Sequence, residues 1–323
     1  MHSESLIELA LKILSCSQKE LASQLGVSQT QISKWKKGEH MSHDMEEKIR
    51  TITNIGDIDP SFILWTGSIE EASKWEDLIH FLADRAKESE ETGYDTYPLD
   101  DEIGLLSWST LSLLMELGVS IPNNIPSELY FDYDSIYDKE KSDEESEEIL
   151  LTILEGNPYS KLIYNIFLSL NDVWGFYNAY MMELISDDDL DLMNTGAENI
   201  EPCLIELAAC KLEDNEELMP MLKEFRHRTL KNYRKWIEIV KDKAFRAGVP
   251  LRAELMELVT CDCEELSEKA EAESFGFNSA RLHPDIYMNE ILCSLRAIHQ
   301  VLPAILEKLG IDFKLDDSEF YIK

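Results

Sequence analysis

The chain has 323 residues, room for roughly two or three domains around a sizeable core. Its formal charge of −34 excludes nonspecific nucleic-acid binding by the bulk of the molecule, because phosphate repels it. Cys16, Cys203, Cys210, Cys261, Cys263 and Cys293 are too sparse for a disulfide framework and read as reduced thiols. With no secretory leader expected and no apolar run of membrane-spanning length, the reading is of a cytoplasmic protein.

The first elements are short helices. Ser5 to Leu14 carries Leu6, Ile7, Leu9, Ala10 and Ile13 on its apolar side. Ser17 followed by Glu20 is a capping box, which predicts a helix from Gln18 with Leu21, Ala22 and Leu25 on one face. Gly26 supplies the turn. Ser28 then caps a second helix, Gln29 to Trp35, with Val27 and Ile32 turned inward. Its outer face carries Gln29, Thr30, Gln31, Ser33 and Lys34, side chains that suit base edges and phosphates in a major groove. A further helix, Ser42 to Ile52, is built on Met45, Ile49 and Ile52. Pro60 to Thr66 makes a short apolar helix stopped by Gly67.

In order and spacing this segment resembles the Xre/Cro-like helix–turn–helix family of bacterial and phage regulators. The pieces that carry the resemblance are QKELA, LGVS, ISKWKKG and FILWTG, within residues 1–68. The resemblance implies a five-helix DNA-binding head. It also implies that Gln18 touches backbone phosphate and braces Gln29, and that Gln29, Thr30 and Lys34 read bases. Gln suits adenine and Lys suits guanine. Ser28, Gln31, Ser33, Lys36 and Lys37 are assigned to the DNA backbone. Trp35 is expected to pack at the end of the recognition helix instead of touching DNA. One departure is that the first helix lacks the family's usual arginines, with Lys12 as its only cation.

Helical periodicity continues after Gly67. Ile69 to Ser89 is amphipathic, and Leu99 to Leu117 is more apolar and ends at Gly118. Tyr130 to Glu148 is acidic, and residues 138–148 are the candidate mobile segment. Tyr159 to Ile185 reads as the centre of a second core, followed by helices over Ile200–Leu212, Glu216–Ala247, Leu251–Ser274 and Asp285–Leu309, the last with Pro303 as a kink. The tail, Asp312 to Lys323, is a candidate short strand. The expected fold class is all-α, with an N-terminal helix–turn–helix domain over 1–68 and a larger, acidic, mainly helical domain over 69–323.

Charge is distributed unevenly. Residues 1–68 hold 7 Lys/Arg and 9 Asp/Glu, whereas residues 69–222 hold 7 and 37. Residues 223–246 reverse the sign with 9 basic and 3 acidic residues. There Phe225, Tyr233, Trp236 and Phe245 are interleaved with the cations, a pattern open to nucleic-acid binding or to docking against acidic neighbours. The acidic surroundings favour docking.

Other constellations are weak. Asp187, Asp189, Asp191 and Glu198 take the spacing of a calcium loop, but Leu192 stands where its glycine is needed. Cys261 and Cys263 are too close together for a usual zinc pair, and His283 is isolated. Neither cofactor nor metal is expected. Phosphate loop, dinucleotide glycines, nucleophile elbow and H-E-x-x-H are all missing, so no enzyme is expected.

The composite expectation is a transcription regulator, acting chiefly by repression, that binds double-stranded DNA as a homodimer. The alternative is an acidic interaction module of the antitoxin, anti-defence or DNA-mimic kind. It would bind a basic protein partner and use the head for its own regulation.

Overall fold

A computed structural model describes residues 3–133, 136, 149–188, 190–196, 200, 203–247 and 284–311. The described residues are helical, with no strand among them. The chain divides into two compact units. One is Met1–Asn171 with Leu212–Arg226, and the other is Asp172–Lys211 with His227–Lys323.

The first unit opens with five short helices: α1 (Ser3–Ile13), α2 (Gln18–Leu25), α3 (Gln29–Trp35), α4 (His43–Thr53) and α5 (Pro60–Thr66). Leu6, Ile7, Leu21, Leu25, Ile32 and Ile49 are each at most 3% exposed and form the head's core. Burial of such side chains stabilises by about 1.5–3 kcal/mol each, far more than intrinsic propensity gives helices of 7 to 11 residues. Ile13, read as part of α1's apolar side, is 37% exposed at the helix end.

Residue 68 lies inside this unit. Two further helices, α6 (Ile69–Glu88) and α7 (Leu106–Glu116), pack directly on α5. The Trp65 and Trp108 rings meet at 6.1 Å. Gly67 sits at φ 91° against Asn123, where an added Cβ would lie 3.2 Å from the Asn123 carbonyl oxygen. Trp75, fully buried on α6, meets the Tyr159 ring in a T-shaped contact at 6.2 Å.

The helix expected over Leu99–Leu117 begins later. Tyr97–Leu99 is one 3₁₀ turn, and Gly104 at φ 68° separates it from α7. Asp101 accepts from the backbone N–H groups of Leu105 and Leu106 at 2.7 and 2.8 Å, capping α7 from four residues upstream. Gly118 ends the element at φ 85°. A Cβ there would lie 2.9 Å from both Pro220 and Met221, and the Met221 N–H donates to the Leu117 carbonyl at 3.0 Å. That contact ties residues 212–226 into the first unit.

Helix α8 (Pro158–Phe176) runs from the first unit into the second. The stretch read as the centre of a core, Tyr159–Ile185, is divided among α8, a π-helical stretch at Tyr177–Met181, and α9 (Met182–Ser186). The second unit adds α10 (Leu204–Ala209), most of α11 (Leu222–Ala247) and α12 (Pro284–Lys308). Its core includes Val173, Trp174, Leu192, Leu204, Trp236 and Val240, and the ion pair Lys211–Asp172 closes at 2.6 Å.

Candidate nucleic-acid interface

Helices α2 and α3 form the candidate reading unit, and local chemistry fixes both starts. The Ser17 hydroxyl oxygen accepts from the Glu20 N–H at 3.3 Å, while the Glu20 carboxylate accepts from the Ser17 N–H at 2.8 Å. The Ser17 N–H and hydroxyl hold the Glu20 carboxyl below its ordinary range. Gly26 at φ 74° returns its N–H to the Ala22 and Ser23 carbonyls, and a residue with a Cβ would be strained there. Ser28 accepts from the Gln31 N–H at 3.2 Å and starts α3.

Three long-range contacts then hold the pair in place. The Lys48 ammonium on α4 donates to the Leu25 carbonyl at 2.7 Å, satisfying the C-terminal end of α2 and placing a cation at its negative pole. The Trp35 indole is 5% exposed and donates to the His40 carbonyl at 3.1 Å, which places it in packing and not on the reading face. The Ser3 hydroxyl lies 3.0 Å from the Trp35 carbonyl and 2.7 Å from that of Glu39, joining the start of α1 to the end of α3.

With Ile32 and Trp35 anchored inward, Gln29, Thr30 and Lys34 are exposed and Ser33 is half-buried beside them on the outer side. Gln31 is half-buried at the flank of that side. Lys36 caps the C-terminus of α3, and both it and Lys37 are exposed. Gln18, at the first position of α2, accepts a hydrogen bond from the Ser33 hydroxyl at 3.1 Å, so its carbonyl oxygen braces Ser33 and not Gln29.

Glu39 is the group that pattern reading passed over. Its carboxylate lies 3.3 Å from the Lys34 ammonium, with both side chains about half exposed. Lys12 is likewise engaged, donating to the Gly67 carbonyl at 3.2 Å.

Residues 7–42 match the helix–turn–helix family model. The matched segment takes in α2, α3 and most of α1, so the family likeness and the reading unit coincide. Comparison with curated proteins and with solved structures found no match. No helix among the described residues is long and apolar enough to cross a membrane.

The other candidates separate from this site. On α11, Phe225, Tyr233 and Trp236 are buried, and Tyr233 stacks on Trp236 at 5.7 Å. Burial pushes the Tyr233 hydroxyl well above the ordinary phenol range. Lys243 pairs with Asp191 at 3.2 Å, Arg226 with Asp214 at 2.9 Å and Arg246 with Asp242 at 3.0 Å; Lys223 also pairs with Glu216. The carboxylate of Asp191, once a candidate calcium ligand, is thus in an ion pair, while Asp189 and Glu198 lie outside the described residues. So do Cys261, Cys263, His283, the 138–148 segment and the tail from Asp312. Cys16, Cys203 and Cys210 are not joined in disulfides. A cleft of about 730 Å³ in the first unit is lined by Asp77, Asp84 and Asp132, by His80 and Arg85, and by Phe81, Tyr130, Phe131 and Tyr133.

Proposed function

We propose that this protein is a sequence-specific DNA-binding transcription regulator, acting chiefly as a repressor and as a homodimer. A binding function, not a catalytic one, is assigned to it. The observation that carries the reading is the single exposed face of α3, where Gln29, Thr30 and Lys34 stand together while Ile32 and Trp35 are buried behind them. A face of amide, hydroxyl and ammonium groups matches the donors and acceptors of base edges. Lys36 and Lys37, exposed at its end, are suited to phosphate. Gln18, Ser28, Gln31 and Ser33 complete the backbone contacts in this reading. Two heads on half-sites about one DNA turn apart would double a small interface. The acidic remainder supplies oligomerisation or takes a basic protein partner.

The test is selection of bound duplexes from a random pool by the full chain, followed by anisotropy titration. A defined operator is expected, and Lys37→Ala should weaken all sequences nearly equally while lowering the salt slope by about one. Recovery of no enriched sequence would overturn the reading.

A further inference from the structure

Helix α12 carries an apolar repeat of which four side chains are exposed and two half-buried. Ile291, Leu295, Ile298, Leu302, Ile305 and Leu309 are spaced alternately by four and three residues. That is the 3.5-residue period of a coiled-coil seam, not merely the 3.6 period of a surface helix. Leu295 is 52% exposed, Ile298 54%, Ile305 46% and Leu309 66%. Val301, at 53%, and the half-buried Leu306 widen the stripe. Pro303 falls on the side away from the seam, so the backbone N–H it lacks is not missing from the contact face. The line from Ile291 to Leu309 is about 27 Å long at a helical rise of about 1.5 Å per residue. Monomeric proteins rarely leave so long an apolar patch in water.

Charge identifies the occupant. In a chain of net −34, a second copy is repelled almost everywhere. Residues 291–306, however, contain Arg296 and no carboxylate. The acidic field thus has a neutral gap where the apolar seam lies, and an identical helix brings the same gap and the same period. A basic protein partner, by contrast, would find nothing on this stripe for its cations.

We propose that a second copy of this chain docks on α12 through the same seam, pairing Leu295, Ile298, Leu302 and Ile305 with their counterparts. The inference rests on the homodimer of the reading above and names its surface. Knobs-into-holes packing removes both stripes from water at once. The dimer forms without DNA, so its measurement is separate from the operator test.

The experiment is sedimentation equilibrium of the full chain, without DNA, at low micromolar concentration. Wild-type protein should give the dimer mass. The double variant Leu295→Glu/Ile298→Glu places carboxylates in the seam and should raise the dissociation constant by on the order of 100-fold, giving a monomer. Ala304→Glu, exposed on the same helix but off the seam, should remain dimeric. Circular dichroism checks that each variant is folded. A wild-type monomer, or a double variant that stays dimeric, overturns the proposal. Hydrogen exchange on wild-type protein tests it without substitution: amides of 291–309 should exchange more slowly as concentration rises through dimerisation. Exchange there that ignores concentration also overturns it.

Discussion

Helix α3 sets one cation, Lys34, beside one aromatic, Trp35, and α11 carries many cations among aromatics; the structure treats the two in different ways. In the seven residues of α3, two apolar side chains are buried, Gln31 and Ser33 are half-buried, and Gln29, Thr30 and Lys34 are exposed, with the ion pair Lys34–Glu39. In the 26 residues of α11, Phe225, Tyr233 and Trp236 are core, and Lys223, Arg226, Lys243 and Arg246 are matched to carboxylates. Positive charge in a sequence is therefore not charge available to phosphate. What counts is whether acidic neighbours have already neutralised it.

The largest expected effect breaks this contrast if it fails. Trp236→Ala should destabilise the protein by about 3–5 kcal/mol in chemical denaturation, because it empties a core position. An unchanged midpoint would return the α11 aromatics to the role of stacking platforms. Next in size, Gln29→Ala and Lys34→Ala should each cost about 1–3 kcal/mol on the selected operator, and much less on random duplex, in paired anisotropy titrations. Equal losses on both DNAs would strip α3 of base reading.

Glu71 sharpens the comparison from the stability side. Its carboxyl is held below the ordinary range first by the Lys74 ammonium at 2.8 Å and then by the Ile125 N–H at 2.7 Å. A depressed carboxylate contributes stability that is present above its ordinary pKa and lost as pH falls through the folded value. Glu71→Gln should thus cost about 1–2 kcal/mol at neutral pH. The gap between wild type and variant should close in urea titrations below about pH 4. A gap that persists in acid would mean that packing, not charge, sets the cost. The smallest effect belongs to the exposed pair on α3. Glu39→Gln frees Lys34 and should tighten DNA binding by about 0.2–1 kcal/mol, the range of surface ion pairs. Weaker binding would show that Glu39 positions Lys34 instead of competing with DNA for it.

Much of the head was legible because its signals are local. A capping box, a left-handed glycine and a second cap lie within the twelve residues from Ser17 to Ser28, and each acts on backbone groups a few positions away. The exposure of Gln29, Thr30 and Lys34 followed from that register, since fixing where α3 starts and which residues it buries fixes its outer face. The brace on Ser33, in place of Gln29, did not follow. The partner of Gln18 depends on how α2 and α3 cross, and the Ser33 hydroxyl is the group the packed pair brings within 3.1 Å.

The contacts that steady the site were hidden for the same reason. Lys48 reaches the Leu25 carbonyl across 23 residues, and Ser3 reaches Trp35 across 32. Arg50 is buried and donates to the Gly56 and Ile58 carbonyls. The sequence by itself determined the helical class, the caps and turn of the α2–α3 pair, and which side chains α3 can offer, because hydrogen bonds and side-chain periods act over one or two turns of chain. Only the tertiary structure decided that residue 68 lies inside a packed unit, that Phe225, Tyr233 and Trp236 of α11 are core, and that Leu295, Ile298, Ile305 and Leu309 of α12 are exposed in the single chain. Each of those depends on which surfaces meet, a choice made by burial over long sequence separations that local patterns do not encode.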